Sequence, residues 1–173
     1  MLNALSPRLV FIGLAFLAAG AIGFAMFLEH QLGLAPCPLC MSQRVFVALG
    51  GVIALVAAVH NPGGWGRRVY AVLCALAALT GGAIAARHVW LQHLPPDQVP
   101  ACGPSLEYML QTLPFSETLS LVLMGDGNCA ETVWTFLGLS IPEQTLLLFI
   151  FITVICLWQA FRHYPTTVVS SHD

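Results

Sequence analysis

Residues 37–60 read CPLCMSQRVFVALGGVIALVAAVH. After its two cysteines, the run 41–60 carries a single charged side chain, Arg44. That is long enough to cross a lipid bilayer, which takes about 20 mostly apolar residues. Three further runs of the same kind surround it, at 9–28, 69–88 and 144–162. Asn61-Pro62-Gly63-Gly64 divides the second run from the third, as Gly and Pro punctuate helices. Hydrocarbon offers no water to backbone amides, so each run must satisfy its own hydrogen bonds and is predicted to be a helix. The expected fold is all-α: one polytopic membrane domain built as a four-transmembrane-helix bundle. A long loop, 89–143, joins the third and fourth helices, and short interfacial helices are expected in it.

Composition agrees. Charged residues make up 8% of the chain, against about a quarter in a soluble domain, so a water-facing surface cannot be built. The basic residues are all arginine: Arg8, Arg44, Arg67, Arg68, Arg87 and Arg162. A net charge of −2 argues against nucleic acid as a partner. The first run is longer than the core of a cleaved signal peptide and ends Met26-Phe27-Leu28-Glu29 without a small-residue cleavage site, so a retained helix is expected.

Parity then sorts the loops. Residues 29–40 and 89–143 are separated by two crossings and lie on one side. Arg8, Arg67, Arg68 and Arg162 fall at the other surface, which the positive-inside rule makes cytoplasmic. Both termini are therefore expected in the cytoplasm. Cys37, Cys40, Cys102 and Cys129 are expected outside it, in the periplasm or its equivalent, where disulfides persist.

Cys37-Pro38-Leu39-Cys40 opens the second helix. If Pro38 holds the first helical position, which proline favours, Cys37 is the cap and Cys40 lies in the first turn. Free backbone N–H groups and the positive helix end would stabilise a thiolate there. Arg44 follows one turn later on the same face. Met41 stands where a c-type haem site needs histidine. A structural zinc site using all four loop cysteines and a static disulfide remain as other readings, although a two-residue gap closes too short a loop to stabilise much.

The 89–143 loop is rich in proline near Cys102 (Pro95, Pro96, Pro100, Pro104), and Cys129 follows the Gly125-Asp126-Gly127 turn. A Cys102–Cys129 disulfide would join two exposed arms, and such bonds tend to be labile; a structural staple is the plainer reading. Residues 115–124 could lie flat at the interface, and Trp134, Phe136, Leu137 and Leu139 suggest a second shallow contact. Arg44 and His88 emerge at this surface and could flank a quinone site beside Cys40, as donors aimed at developing negative charge. Cys74 and Cys156, within apolar runs, are expected to be inert. Small residues every four positions (Ala15, Ala19, Gly23; Ala78, Gly82, Ala86) are expected to pack helices together.

The combined order of these features resembles the disulfide bond formation protein B (DsbB) family of bacterial inner membranes. The resemblance spans the four runs, the Cys-Pro-Leu-Cys pair with Arg44 four residues on, and the segment Gly127-Asn128-Cys129-Ala130-Glu131 continuing through Trp134 to Phe136-Leu137-Gly138-Leu139. It implies a quinone-dependent protein-thiol oxidase that reoxidises a periplasmic thioredoxin-fold (DsbA-type) thiol oxidase. Cys102 would meet the partner, with Cys129 as its disulfide mate. Cys37 would exchange with Cys129, and Cys40 would stand nearest the quinone, ubiquinone or menaquinone. Arg44 and His88 would be the quinone-site residues, and no metal is expected. Gln43 stands where an acid is expected in that family. Vitamin K epoxide reductase-like proteins, and a non-enzymatic membrane protein with structural disulfides, are the alternatives.

Overall fold

The computed structural model of the chain describes residues 6–162 apart from 96, 102, 104 and 105. Four long helices carry the fold: α1 (Pro7–Leu32), α2 (Pro38–His60), α3 (Gly64–Gln92) and, after the loop, α7 (Ile141–Phe161). All four are long and apolar enough to cross a membrane, so the chain is a multi-pass, all-α membrane protein. Between α3 and α7 lie α4 (Leu106–Thr112), α5 (Phe115–Met124), the single turn α6 (Gly127–Ala130), and a hairpin of β1 (Thr135–Phe136) and β2 (Leu139–Ser140).

Local chemistry sets the boundaries. Ser6 caps α1, its hydroxyl accepting from Leu9 N–H at 3.4 Å. Asn61, in the left-handed region at φ 45°, closes α2, and Gly63 begins α3. The fourth span starts upstream of the expected boundary because Glu143 Oε2 accepts from the Ser140 backbone N–H at 2.7 Å, half of a capping box. Ser140 Oγ donates to Gln92 Oε1 at 2.8 Å and ties the start of α7 to the end of α3.

The main packing runs α1 to α2, α2 to α3 and α3 to α7. Size complementarity holds these seams. A Cβ on Gly51 would stand 2.7 Å from Ala18 Cβ, and one on Gly81 would overlap the ring of Phe149. The expected small-residue stripes hold in part: Ala78 is buried, Ala15 packs against the core and Gly82 faces Phe149. Ala19, Gly23 and Ala86 face outward, and Ala18, Gly81 and Ala85 are buried beside them. One residue turns a helical side chain by a little over a quarter of a circle, and spacing alone does not fix which way a stripe points. Cys74 and Cys156 meet between α3 and α7, and Cys74 Sγ donates to the Gly50 carbonyl at 3.6 Å.

The loop lies against the end of the bundle where α2 begins and α3 ends. Arg87 stacks on Trp90 with 4.5 Å between guanidinium and ring centre and donates to the Met124 carbonyl at 3.2 Å, pinning the end of α5. The hairpin pairs Phe136 with Leu139, and its turn residues Leu137 and Gly138 both have positive φ, 53° and 80°. Trp134 stacks on Phe136 and meets Phe24 of α1 edge-on.

Candidate functional site

Three cysteines from distant parts of the chain converge at this end. Pro38 begins α2, and Cys37 is its N-cap in extended conformation. Cys37 Sγ therefore accepts from the Cys40 backbone N–H at 3.4 Å and lies 3.2 Å from Cys40 Sγ. Cys129 sits in the α6 turn, which Asp126 caps: Asp126 Oδ1 accepts from Cys129 N–H at 3.3 Å. Gly125, at φ 75°, lets the loop descend onto the helices; a Cβ there would stand 2.5 Å from Leu91 Cδ1 and 3.1 Å from Leu39 Cδ1. Cys129 is thereby fully buried.

The ligating atoms of Cys37, His88 and Cys129 all lie within 4.8 Å of one another. The Leu39 backbone N–H, in the first turn of α2, faces Cys129. The same helix end thus addresses two sulfurs, as expected where the first backbone donors of a helix have no internal partners. The Cys37 sulfur beside it, and then burial, push the Cys129 thiol well above the usual range, so Cys129 holds its proton while Cys37 is reduced. This cysteine–histidine trio also has the composition of a soft-metal ligand set.

Cys40 borders this side and opens to a second one as well. With Arg44, Gln43 and Glu29 it lines a cleft of about 110 Å³ between α1, α2 and α7, walled by apolar side chains such as Ile22, Leu28, Val47 and Leu148. Arg44 Nη1 donates to Glu29 Oε2 at 2.5 Å, and Nη2 to the Ala25 carbonyl at 3.3 Å. An apolar cavity with a few fixed polar groups is the usual form of a small-molecule site. A guanidinium and a sulfur at its edge suit a lipophilic ring bearing carbonyl oxygens.

The sequence placed His88 and Arg44 as flanks of a site beside Cys40; in the structure each lines a cavity with Cys40, Arg44 the larger and His88 the smaller. His88 lies within α3, 2% exposed, with Nε2 3.8 Å from Cys37 Sγ and Nδ1 3.1 Å from Gln43 Nε2. It lines a second, smaller cavity with Cys37, Asn128 and Glu131. Cys37 and Cys40 stand between the two cavities. Cys102 lies outside the described residues. Its neighbours touch the capping turn: Gly127 N–H donates to the Ala101 carbonyl at 3.4 Å, and a Cβ on Gly103 would meet Asp126 Oδ2 at 3.1 Å. Glu29 as the partner of Arg44, Gln43 as the partner of His88 and Asp126 as the cap of the Cys129 turn were not read from the sequence. An aspartate three residues before Cys129 is an N-cap signature. An amide and an imidazole at matching depths in neighbouring membrane helices were likewise visible as candidates for pairing.

Fold and site together define a multi-pass membrane protein with a thiol–disulfide centre at one end of its bundle. The sequence model of the family described as "Disulfide bond formation protein DsbB" matches residues 7–159. The chain is 52% identical over 158 residues to Disulfide bond formation protein B of Stutzerimonas stutzeri, covering 91% of this chain and 96% of that one. It is 56% identical over 146 residues to Disulfide bond formation protein B 1 of Pseudomonas aeruginosa, covering 84% and 89%. It is 56% identical over 143 residues to the Hahella chejuensis protein, covering 82% and 87%. The chain belongs to the disulfide bond formation protein B family, and its general role is that of a disulfide-forming oxidoreductase.

Proposed function

We propose that this protein withdraws two electrons from a reduced, DsbA-type thioredoxin-fold dithiol and passes them to the membrane quinone pool, ubiquinone or menaquinone. It does so in a bacterial inner membrane, with both termini cytoplasmic and its cysteine loops periplasmic. One observation carries the reading: Cys37 touches Cys129 on one side and Cys40 on the other, 3.2 Å away, while Cys40 lines the cleft with Arg44.

The partner's thiolate attacks Cys102 of a Cys102–Cys129 disulfide and releases Cys129. Cys129 then attacks Cys37 of a Cys37–Cys40 disulfide, and the bonding pair leaves on Cys40. The α2 N-terminus and the nearby Arg44 guanidinium stabilise that thiolate. A quinone bound in the cleft supplies the final two-electron acceptor. Arg44, held by Glu29 and the Ala25 carbonyl, is the group placed to bind it, and the apolar walls exclude water. The donor is demanding, so the final acceptor has to be strongly oxidising. A DsbA-type couple lies near −120 mV, and every 30 mV of deficit would cost about 1.4 kcal/mol.

The test uses the purified full chain in proteoliposomes with a reduced thioredoxin-fold oxidase and quinone. Partner oxidation should require quinone, and a mixed disulfide through Cys102 should be trapped when the partner's second, resolving cysteine is replaced by serine. Quinone-independent turnover would overturn the reading.

A further inference from the structure

Within the bundle end, Gln43 and His88 form a buried pair that the reaction above does not use. Gln43 is 3% exposed and His88 2%. A buried amide in a membrane helix must find partners, and Gln43 Nε2 finds His88 Nδ1 at 3.1 Å. With the Gln43 amide turned this way its nitrogen donates and Nδ1 accepts, an arrangement that puts the ring proton on Nε2. Nε2 is the atom 3.8 Å from Cys37 Sγ. The Cys129 backbone carbonyl, an acceptor, faces the same ring and favours a ring that donates.

We propose, building on the thiol-oxidase reading, that Gln43 is a positioning residue that fixes the His88 tautomer so that Nε2–H points at Cys37 Sγ and stabilises Cys37 as a leaving thiolate. The step served is the return of the loop disulfide. Once the partner's second thiol has attacked the partner's own sulfur in the Cys102–partner bond and departed as a disulfide, the freed Cys102 thiolate attacks Cys129 of a Cys37–Cys129 bond. The sulfur–sulfur bond breaks, its electron pair leaves on Cys37, and a Cys102–Cys129 bond forms. Two electrons stay within the three sulfurs, and no outside oxidant enters. A donor already aimed at the departing sulfur needs no reorganisation when charge appears on it. Glutamine performs this duty without titrating. The ionisable groups facing His88 are Cys37 and Cys40 from the start of α2, Cys129 of α6, and Glu131 just after it; Arg44 and Glu29 line the other cleft, and Arg87 turns to the Met124 carbonyl.

The experiment uses the full chain in lipid nanodiscs, with ¹⁵N-histidine spectra assigned by His88→Asn. His88 should be neutral with the proton on Nε2. In Gln43→Leu the ring should become a mixture of tautomers. Thiolate-selective alkylation of Cys37, measured at fixed pH in a Cys40→Ser background, should then slow by about ten-fold, the scale of one hydrogen bond to a charged group. Gln43→Glu makes a different demand. A carboxylate accepts from Nδ1–H, so Nε2 keeps a proton only while the ring is an imidazolium. Turnover of that variant should fall as pH rises through the imidazole range, a limb absent from the wild type. This variant decides the matter if Gln43→Leu does not fold. A proton on Nδ1 in the wild type, or a Gln43→Glu pH profile matching the wild type, would overturn the assignment. Loss of quinone-dependent turnover in the wild type would instead remove the thiol-oxidase reading, while the tautomer spectrum would still report on Gln43.

Discussion

Arg44 of α2 and Glu29 near the end of α1 form an ion pair, Nη1 to Oε2 at 2.5 Å. The pairing answers the question that an arginine in the first turn of a membrane helix raises, since such a charge needs either the interface or a partner. Both side chains are partly exposed, so solvent screening leaves the pair a small contribution to stability. Its weight falls on the cleft. Glu29→Gln should leave the fold intact and raise the apparent KM for quinone several-fold. Arg44→Ala should raise it further while changing the KM for the protein partner less. Steady-state kinetics with each substrate varied in turn checks this, and equal rises in both constants would count against the cleft as the quinone site.

Gly81 and Phe149 set the α3–α7 seam. Gly81→Ala puts a methyl group into the Phe149 ring and should destabilise by about 1–3 kcal/mol, the usual range for overpacking. Thermal unfolding in detergent measures it. Phe149→Leu should restore most of the loss in the double variant, a coupling that independent sites would not show.

The cysteines divide by position. Serine at Cys37, Cys40, Cys102 or Cys129 should each abolish quinone-linked oxidation of the partner. Serine at Cys74 or Cys156 should leave turnover near wild type, because that pair is enclosed between α3 and α7 and touches none of the other cysteines in the described geometry. Retained activity in any of the first four variants would dismantle the relay.

Asp126 caps the turn that presents Cys129. Asp126→Ala removes the side-chain acceptor of the Cys129 N–H, leaving only the residue's backbone carbonyl at 3.0 Å, and should cost about 1 kcal/mol locally. Exchange between Cys129 and Cys37 should slow, read by stopped-flow with the reduced partner. Asp126→Asn keeps an acceptor oxygen and should recover most of the rate. Failure of asparagine to rescue would mean that the carboxylate acts otherwise than as a cap.

The four spans were legible because apolar length is a one-dimensional signal. The Cys37 cap and Pro38 start were legible because capping chemistry is local. Phe115–Met124, read from its mixed polarity, is a helix with those bounds. Azimuth was not legible. Ala19 and Gly23 turned outward although Ala15 packs on the core, and His88 turned to Cys37, because rotation about a helix axis is set by neighbours. Glu29 opposite Arg44 and Gln43 opposite His88 are contacts between helices, and no spacing within one helix encodes them.

Burial of Cys129 beneath Gly125 and the capping turn has a consequence for wiring. Small thiols diffusing outside the membrane meet no open surface on that sulfur, so direct attack on it is shielded. On the proposed reading, current enters only through the arm a partner protein engages. Selectivity of the oxidising circuit then comes from insulation as much as from potential.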